Sequence, residues 1–492
     1  MNLAFSIIIR RTFGTLSGAY DVVLGLSASL LSYSSLGIPT SMTKLLPEIE
    51  ARSGPSAISS FLARASLLRM LPLALALVLL NLFAGELSRW LGLGHAGLVY
   101  LRLLTALVIA RALLELAIKT LNAFFAQLTA NLITLAQAVL DFSLVGLVLL
   151  LGYGIGGVLG ALAVSSALLA LIGSGSARRT IHRLGSPEHL TAPEVEPNVP
   201  RSMEAVHFAR FTGFTYLYEL SLYFAGMGFA SPALAALLGV EQVALFATGF
   251  KLALMAVVLV VSPFRGVYRP LFARLRERGD LSQLQRAFAA VSKAQIVLLL
   301  PSAVGLVVMA DDYLPLLYGS QFLPAVPIAR LLVALLFAET AFNLAMIVLW
   351  IDERYWAMAG SQAILVLAAP CFLIAAARGG LLAAAAVFGG ARLAVSASAY
   401  LVCRRAYRFH YPWPFAARVG AASLIMGAVL LTAKAFWRSS VGEALTLTLL
   451  GIAVFGLCLR LMDILGADET ELLCRAQLPG QRWILGWLTP RT

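Results

Sequence analysis

Runs of about 18 or more apolar residues recur from one end of this chain to the other, separated only by short polar intervals. Each run is long enough to cross a bilayer as a helix, and in lipid a helix is the open-ended structure that satisfies its own backbone hydrogen bonds. The composition agrees: 60% of the 492 residues are hydrophobic and 12% charged, where soluble domains sit near about 45–50% and 25%. Mean hydropathy is +0.88. The longest polar interval, roughly 174–208, reads as a linker rather than a domain. The fold class that follows is an all-α polytopic membrane protein with thirteen full spans and an apolar fragment, "MNLAFSIII", at the start.

Charge placement orients the spans. Most of the 37 Lys and Arg fall in one alternating set of intervals, among them 38–69, 174–210, 264–293, 404–418 and 460–492. Basic residues mark the cytoplasmic side, so the net charge of +13 is a topology signal with affinity for anionic membrane lipids, and not a nucleic-acid footprint. The C-terminus is placed in the cytoplasm.

The chain also repeats itself. Gly14 pairs with Gly239, Pro39 with Pro263, Gly54 with Gly279, Gln137 with Gln362, and Gly156 with Gly379, at one nearly constant separation. Two homologous halves with an even number of helices share one orientation, a parallel repeat of two six-helix lobes with two further C-terminal helices and a substrate site between the halves. The expected domains are 1–173, a cytoplasmic linker at 174–208, 209–405, two extra spans within 406–462, and an interfacial tail at 463–492. Fewer apolar residues precede Gly14 than Gly239. The first helix is therefore expected to be truncated, with 13–14 transmembrane helices in all. The basic stretches "IPTSMTKLLPEIEARSG" (38–54) and "SPFRGVYRPLFARLRERGD" (262–280) are then one loop in two copies, opened by helix-ending prolines at Pro39 and Pro263.

Several classes of chemistry find no residues here. No G-x-x-x-x-G-K-[ST] phosphate loop exists, the five His have no metal-ligand spacing, and Cys371, Cys403, Cys458 and Cys474 imply no disulfide framework. Neither metal, cofactor nor enzymatic activity is expected.

The segments "LGIPTSMTKLLPE" (36–48), "LLYGSQFLPAVPIARLL" (316–332) and the pair "GGVLGA"/"GGLLAA" (156–161 and 379–384) resemble the polysaccharide-transporter branch of the multidrug/oligosaccharidyl-lipid/polysaccharide (MOP) exporter superfamily. "RTFGTLSGAYD" (11–21) is similar to the second helix of lipid II flippases. The resemblance implies two lobes in a V around an alternately opening cavity. It implies transfer of a polyprenyl-diphosphate-linked oligosaccharide to the outer leaflet of a bacterial inner membrane. Glycosyltransferases and a polymerase of the same pathway are implied partners. A multidrug or cation antiporter of the same fold is the alternative.

Such a substrate needs cations for its phosphates, because a bare ion in hydrocarbon is costly. Within the spans stand Arg111, Glu115, Asp141, Glu219, Lys251, Arg330, Glu339 and Arg392. Lys251 and Arg392, with Arg10 and Arg11 at the cavity mouth, are the diphosphate candidates. Asp141, Glu219, Glu339 and Asp21 are candidates for an ion-coupling carboxyl. Arg111 and Glu115, one helical turn apart, are expected to pair, and Arg330 to snorkel. Lys44, Arg52, Arg265 and Arg269 in the basic stretches are candidates for a cytoplasmic gate that gathers headgroups.

Overall fold

The computed structural model describes residues 2–184, 201–436 and 441–464. Among these residues the regular structure is helical throughout. The chain forms two compact units, one of 1–9 and 15–244, the other of 10–14 and 245–492.

The first unit contains α1 (Asn2–Phe13, whose last residues group with the second unit), α2 (Ser17–Ser35), α3 (Ile38–Leu82), α4 (Ala84–Trp90), α5 (Gly97–Ala123), α6 (Gln127–Leu150), α7 (Ile155–Leu184), α8 (Arg201–Phe224) and α9 (Met227–Leu238). Its core is aliphatic: Met42, Leu46 and Ile58 of α3 pack with Leu116 of α5 and Ile181 of α7. By contrast α6 keeps only 11% of its apolar span buried, and its exposed Leu128, Leu132 and Leu135 are the lipid-facing side of a membrane helix.

The second unit contains α10 (Val240–Glu277, entering from the first unit), α11 (Leu281–Tyr318), α12 (Val326–Phe342), α13 (Leu344–Ile351), α14 (Tyr355–Tyr407), α15 (Trp413–Lys434) and α16 (Val441–Leu461). Its centre is aromatic. Phe388 meets Phe246 and Phe250 edge-on, with centroids 5.5 and 5.4 Å apart, the arrangement ring quadrupoles favour. Met309, Met426, Leu430 and Leu447 fasten α15 and α16 to α11.

Among the described residues, ten helical stretches are long and apolar enough to cross a membrane, or eleven with the α8–α9 pair, which bends by 44°. The thirteen expected spans each fall on a helix. The long α14 holds two of them on either side of Gly380, which breaks the helix at φ 69°. The remaining one is α5, which carries Arg102, Arg111, Glu115 and Lys119. The repeat is visible in the backbone: Gly14 and Gly239 both take positive φ (58° and 91°) just ahead of matching helices.

Three local expectations change. The basic stretches are helix rather than loop: α3 starts at Ile38 and runs through the first, and α10 runs through most of the second. At 45 residues, α3 has a contour of about 68 Å, more than twice the roughly 30 Å hydrocarbon core. Its basic part therefore extends beyond the lipid as helix. Pro39 opens α3 instead of ending a helix, since at the first turn its missing N–H would have had no partner anyway. Position 263 lies inside α10, as membrane helices tolerate internal proline when neighbours satisfy the freed carbonyl. Helix also enters the expected linker from both sides, to Leu184 and from Arg201. The tail beyond 464 lies outside the described residues.

The ends of three helices in the second unit meet at Asp352, between α13 and α14. Its carboxylate accepts from Arg276 Nε at 2.5 Å, Arg354 Nε at 2.9 Å and the Tyr407 hydroxyl. Burial alone would raise this carboxyl; the bonds from Tyr407, Arg276 and Arg354 outweigh it and hold it below the usual range.

The "LGIPT" turn sets α3 against α8. Leu36 and Gly37 are both left-handed, at φ 48° and 71°, and a Cβ on Gly37 would sit 2.4 Å from the Thr212 carbonyl oxygen. Gly37→Ala is expected to lower stability by about 2 kcal/mol. Gly85→Ala, with open space at its Cβ, should be neutral. Thermal unfolding of the two variants in detergent checks this.

Candidate functional site

A charge inside a membrane span must find a partner or water. In the second unit the partners are other side chains. Arg392 grips Glu339 through two parallel bonds, Nε to Oε2 at 2.8 Å and Nη2 to Oε1 at 3.1 Å, with side-chain exposures of 18% and 14%. The guanidinium also lies 5.9 Å from the Phe250 ring centre and 6.0 Å from that of Phe388. Lys434 bridges Asp311 and Asp312 at 2.5 and 2.6 Å. Arg330 pairs with Asp311 at 3.2 Å and donates to the Val307 carbonyl at 2.9 Å.

Arg10 and Arg11 are also engaged in this unit. Arg10 is wholly buried, donates to Thr248 Oγ1 at 2.5 Å and lies over the Tyr318 ring. Arg11 donates to the carbonyls of Leu316 and Leu317 at 2.5 and 3.0 Å. It caps the end of α11, where the helix dipole favours a cation. Lys251 is half-buried on α10.

The first unit instead holds a polar cavity of about 550 Å³ walled by α2, α5, α6 and α8. Ser32 and Ser35, Arg111 and Glu115, Gln137, and Glu219 with Tyr223 supply its polar edge. Glu219 is anchored by hydroxyls: Ser35 Oγ donates to Oε2 at 2.9 Å, and Thr40 Oγ1 donates to Oε1. Glu115 accepts from Arg69 Nη2 at 2.5 Å; the Glu115 side chain is 41% exposed and that of Arg69 fully buried. The expected Arg111–Glu115 pair is thus replaced by a cross-helix pair. Arg69, enclosed in α3, needs a counter-ion where it stands, while Arg111 lies within electrostatic reach of Asp141 and Tyr20. Asp141 in turn lies beside Ser165.

Of the residues singled out by sequence, Glu219 lines the first unit's cavity together with Arg111, Asp141 lies within electrostatic reach of Arg111, and Arg392 and Glu339 join in the second unit. Asp21 is buried on α2. Lys44, Arg52, Arg265 and Arg269 fall on α3 and α10, and their side chains lie outside the described residues. Sequence reasoning missed Arg69, Gln137, Tyr223 and the hydroxyls of Ser35 and Thr40. The signal for Ser35 and Thr40 is the hydroxyl-rich run "SLLSYSSLGIPT" at 29–40, and Gln137 stood out as a repeat anchor alone.

Residues 199–327 match the family described as "Polysaccharide biosynthesis protein". No curated protein matches the chain. Among solved structures, the lipid II flippase MurJ in an inward closed conformation superposes with a TM-score of 0.71 at 14% identity, over 93% of this chain and 97% of that one. An inward-facing multidrug resistance MATE transporter of the MOP superfamily gives 0.63 at 14% identity, over 83% and 94%. The fold is that of the MOP transporters. Among the described residues of this MOP fold, no cluster of three or more His, Cys, Asp or Glu is arranged to hold a metal ion.

The bidentate Arg392–Glu339 pair has a measurable signature. Removing one partner strands a shielded charge, so Arg392→Ala and Glu339→Gln should each destabilise, Arg392→Ala by about 3 kcal/mol. The double variant should lose clearly less than the two losses added. Additive losses in a thermal double-mutant cycle would contradict the pair.

Proposed function

We propose that the chain is a flippase of the polysaccharide-transporter branch of the MOP superfamily. It moves a polyprenyl-diphosphate-linked oligosaccharide from the cytoplasmic to the outer leaflet of a bacterial inner membrane by alternating access. The observation that carries this reading is the family match over 199–327, which includes α8 with Glu219 and Tyr223. A saccharide demands such hydroxyl, amide and aromatic groups in place of a hydrocarbon wall. In this reading Lys251 meets the diphosphate, Asp141 carries a coupling ion, and the basic helical stretches at 38–54 and 262–280 lie against anionic headgroups on the cytoplasmic side. Glycosyltransferases and a polymerase of the pathway act before and after it.

One observation favours a cation antiporter of the same fold. The cavity is edged by the Glu219 carboxylate, held by hydroxyls and not by a cation among the described residues, and a carboxylate so held suits a cation.

Mass spectrometry of lipid-linked oligosaccharides separates the two. A strain lacking the protein is compared with the same strain re-expressing the chain or its Lys251→Ala variant. The flippase reading predicts accumulation of a completed polyprenyl-diphosphate oligosaccharide in the deletion strain, cleared by the chain and not by an equally abundant Lys251→Ala. An unchanged lipid pool with altered sensitivity to cationic drugs would overturn it in favour of the antiporter.

A further inference from the structure

We infer that the cavity of the first unit is a site for a zwitterion, a phosphate carried together with a primary ammonium. The phosphate goes to Arg111 and the ammonium to Glu219. Two sources offer that chemistry: the headgroup of an ethanolamine phospholipid, and an amino sugar linked through phosphate. Where the cargo supplies it, the inference rests on the flippase reading and names one part of that cargo. Where the bilayer supplies it, the cavity is a lipid headgroup site.

Arg111 lines the cavity from α5. Its neighbour one turn along the helix, Glu115, is taken by Arg69 at 2.5 Å. Among the described residues no hydrogen bond or ion pair reaches the Arg111 guanidinium. Asp141 acts on it electrostatically from beyond bonding distance, which offsets part of its charge and leaves its donors open. A guanidinium presents five N–H donors in a planar fork that matches the oxygens of a phosphate. Donors without acceptors inside a membrane span are costly, and a ligand that accepts from them removes that cost.

Glu219 is the opposite charge in the same cavity. Ser35 and Thr40 each donate to one of its oxygens, so the carboxylate is oriented before any ligand arrives, and among the described residues no cation holds it. A carboxylate oxygen has more than one acceptor position, and a primary ammonium brings three donors. The apolar wall of Leu31, Leu114 and Leu222 lowers the local dielectric, which strengthens a charge-assisted bond made beside it.

Arg111 and Glu219 share this cavity without forming an ion pair with each other. Two opposite charges held apart in one space are matched by a ligand that carries both signs. An anion alone would leave Glu219 without a cation, and an amine alone would leave Arg111 without acceptors. A zwitterion engages both and adds no net charge to the span. The volume of about 550 Å³ falls within the range of small-molecule sites.

The test uses the purified full-length chain in detergent and two pairs of soluble probes, each pair differing by the ammonium. Glycerophosphoethanolamine is set against glycerophosphoglycerol, and glucosamine 1-phosphate against its N-acetylated form. In at least one pair the amine-bearing probe should raise the unfolding temperature saturably. It should bind about tenfold more tightly than its amine-free counterpart, the effect of one charge-assisted bond. The tighter of the two amine-bearing probes names the source, phospholipid or cargo. Glu219→Gln should erase the preference for the amine, and Arg111→Gln should abolish binding of every probe. On the wild-type chain, phosphorus NMR of the bound probe should broaden and saturation transfer should reach the C–H protons beside the amine, readouts independent of how any variant folds. Failure of both amine-bearing probes to bind overturns the inference. So does equal binding of their amine-free counterparts, or a preference that persists in Glu219→Gln. If the probes fail while the deletion strain accumulates lipid-linked oligosaccharide, the site is refuted and the flippase stands. If they bind while that strain accumulates none, the site stands and the flippase reading falls.

Discussion

Hydrocarbon cannot solvate an ion, and the two units meet that constraint differently. In the second unit the charges of Arg392, Arg330 and Lys434 are neutralised by protein carboxylates. The Arg392 guanidinium lies fork-to-fork on Glu339, Lys434 and Arg330 converge on Asp311, and Arg11 closes the end of α11. Such pairs are rigid because breaking one strands a charge. The first unit keeps a wet alternative. Glu219 is tied by hydroxyls, and Glu115, paired with Arg69, is half exposed, so both carboxylates border a cavity. One unit reads as a braced frame, and the other carries polar groups still able to meet a ligand.

The same constraint explains what sequence could and could not reveal. Spans were legible because a membrane helix announces itself by length and apolarity alone, whatever it packs against. The repeat was legible because a left-handed turn can be made cheaply only by glycine, so Gly14 and Gly239 mark equivalent corners. Charge pairing was not legible. Helical spacing shows that Arg111 and Glu115 share a face, yet it says nothing of α3, whose buried Arg69 takes Glu115 instead. For Arg10 and Arg11 the difficulty was similar. Two arginines beside an apolar run read as diphosphate candidates, and the sequence gives no sign of Thr248 or the α11 carbonyls that lie beside them. The basic stretches misled for another reason: arginine-rich sequence outside lipid is as good a helix former as a loop former, and only the chain's continuation decides.

Function follows the contrast between the units. The fold is shared by transporters of quite different cargo, and a fold by itself does not choose among them. The first unit's cavity brings together Tyr223, the Gln137 amide and the hydroxyl-bound carboxylate of Glu219. These groups suit the hydrated, many-hydroxyled part of a lipid-linked saccharide, while its tail can stay in the bilayer and its phosphates need a cation such as Lys251.

The most direct test of transport is reconstitution of the purified chain into liposomes that carry a fluorescent polyprenyl-diphosphate oligosaccharide in both leaflets, challenged from outside with a glycosidase that cannot cross the membrane. The account predicts that the inner-leaflet fraction, protected in empty liposomes, becomes cleavable once the chain is present. If that fraction stays protected in liposomes shown to contain folded protein, the chain does not move this class of lipid, and the account fails.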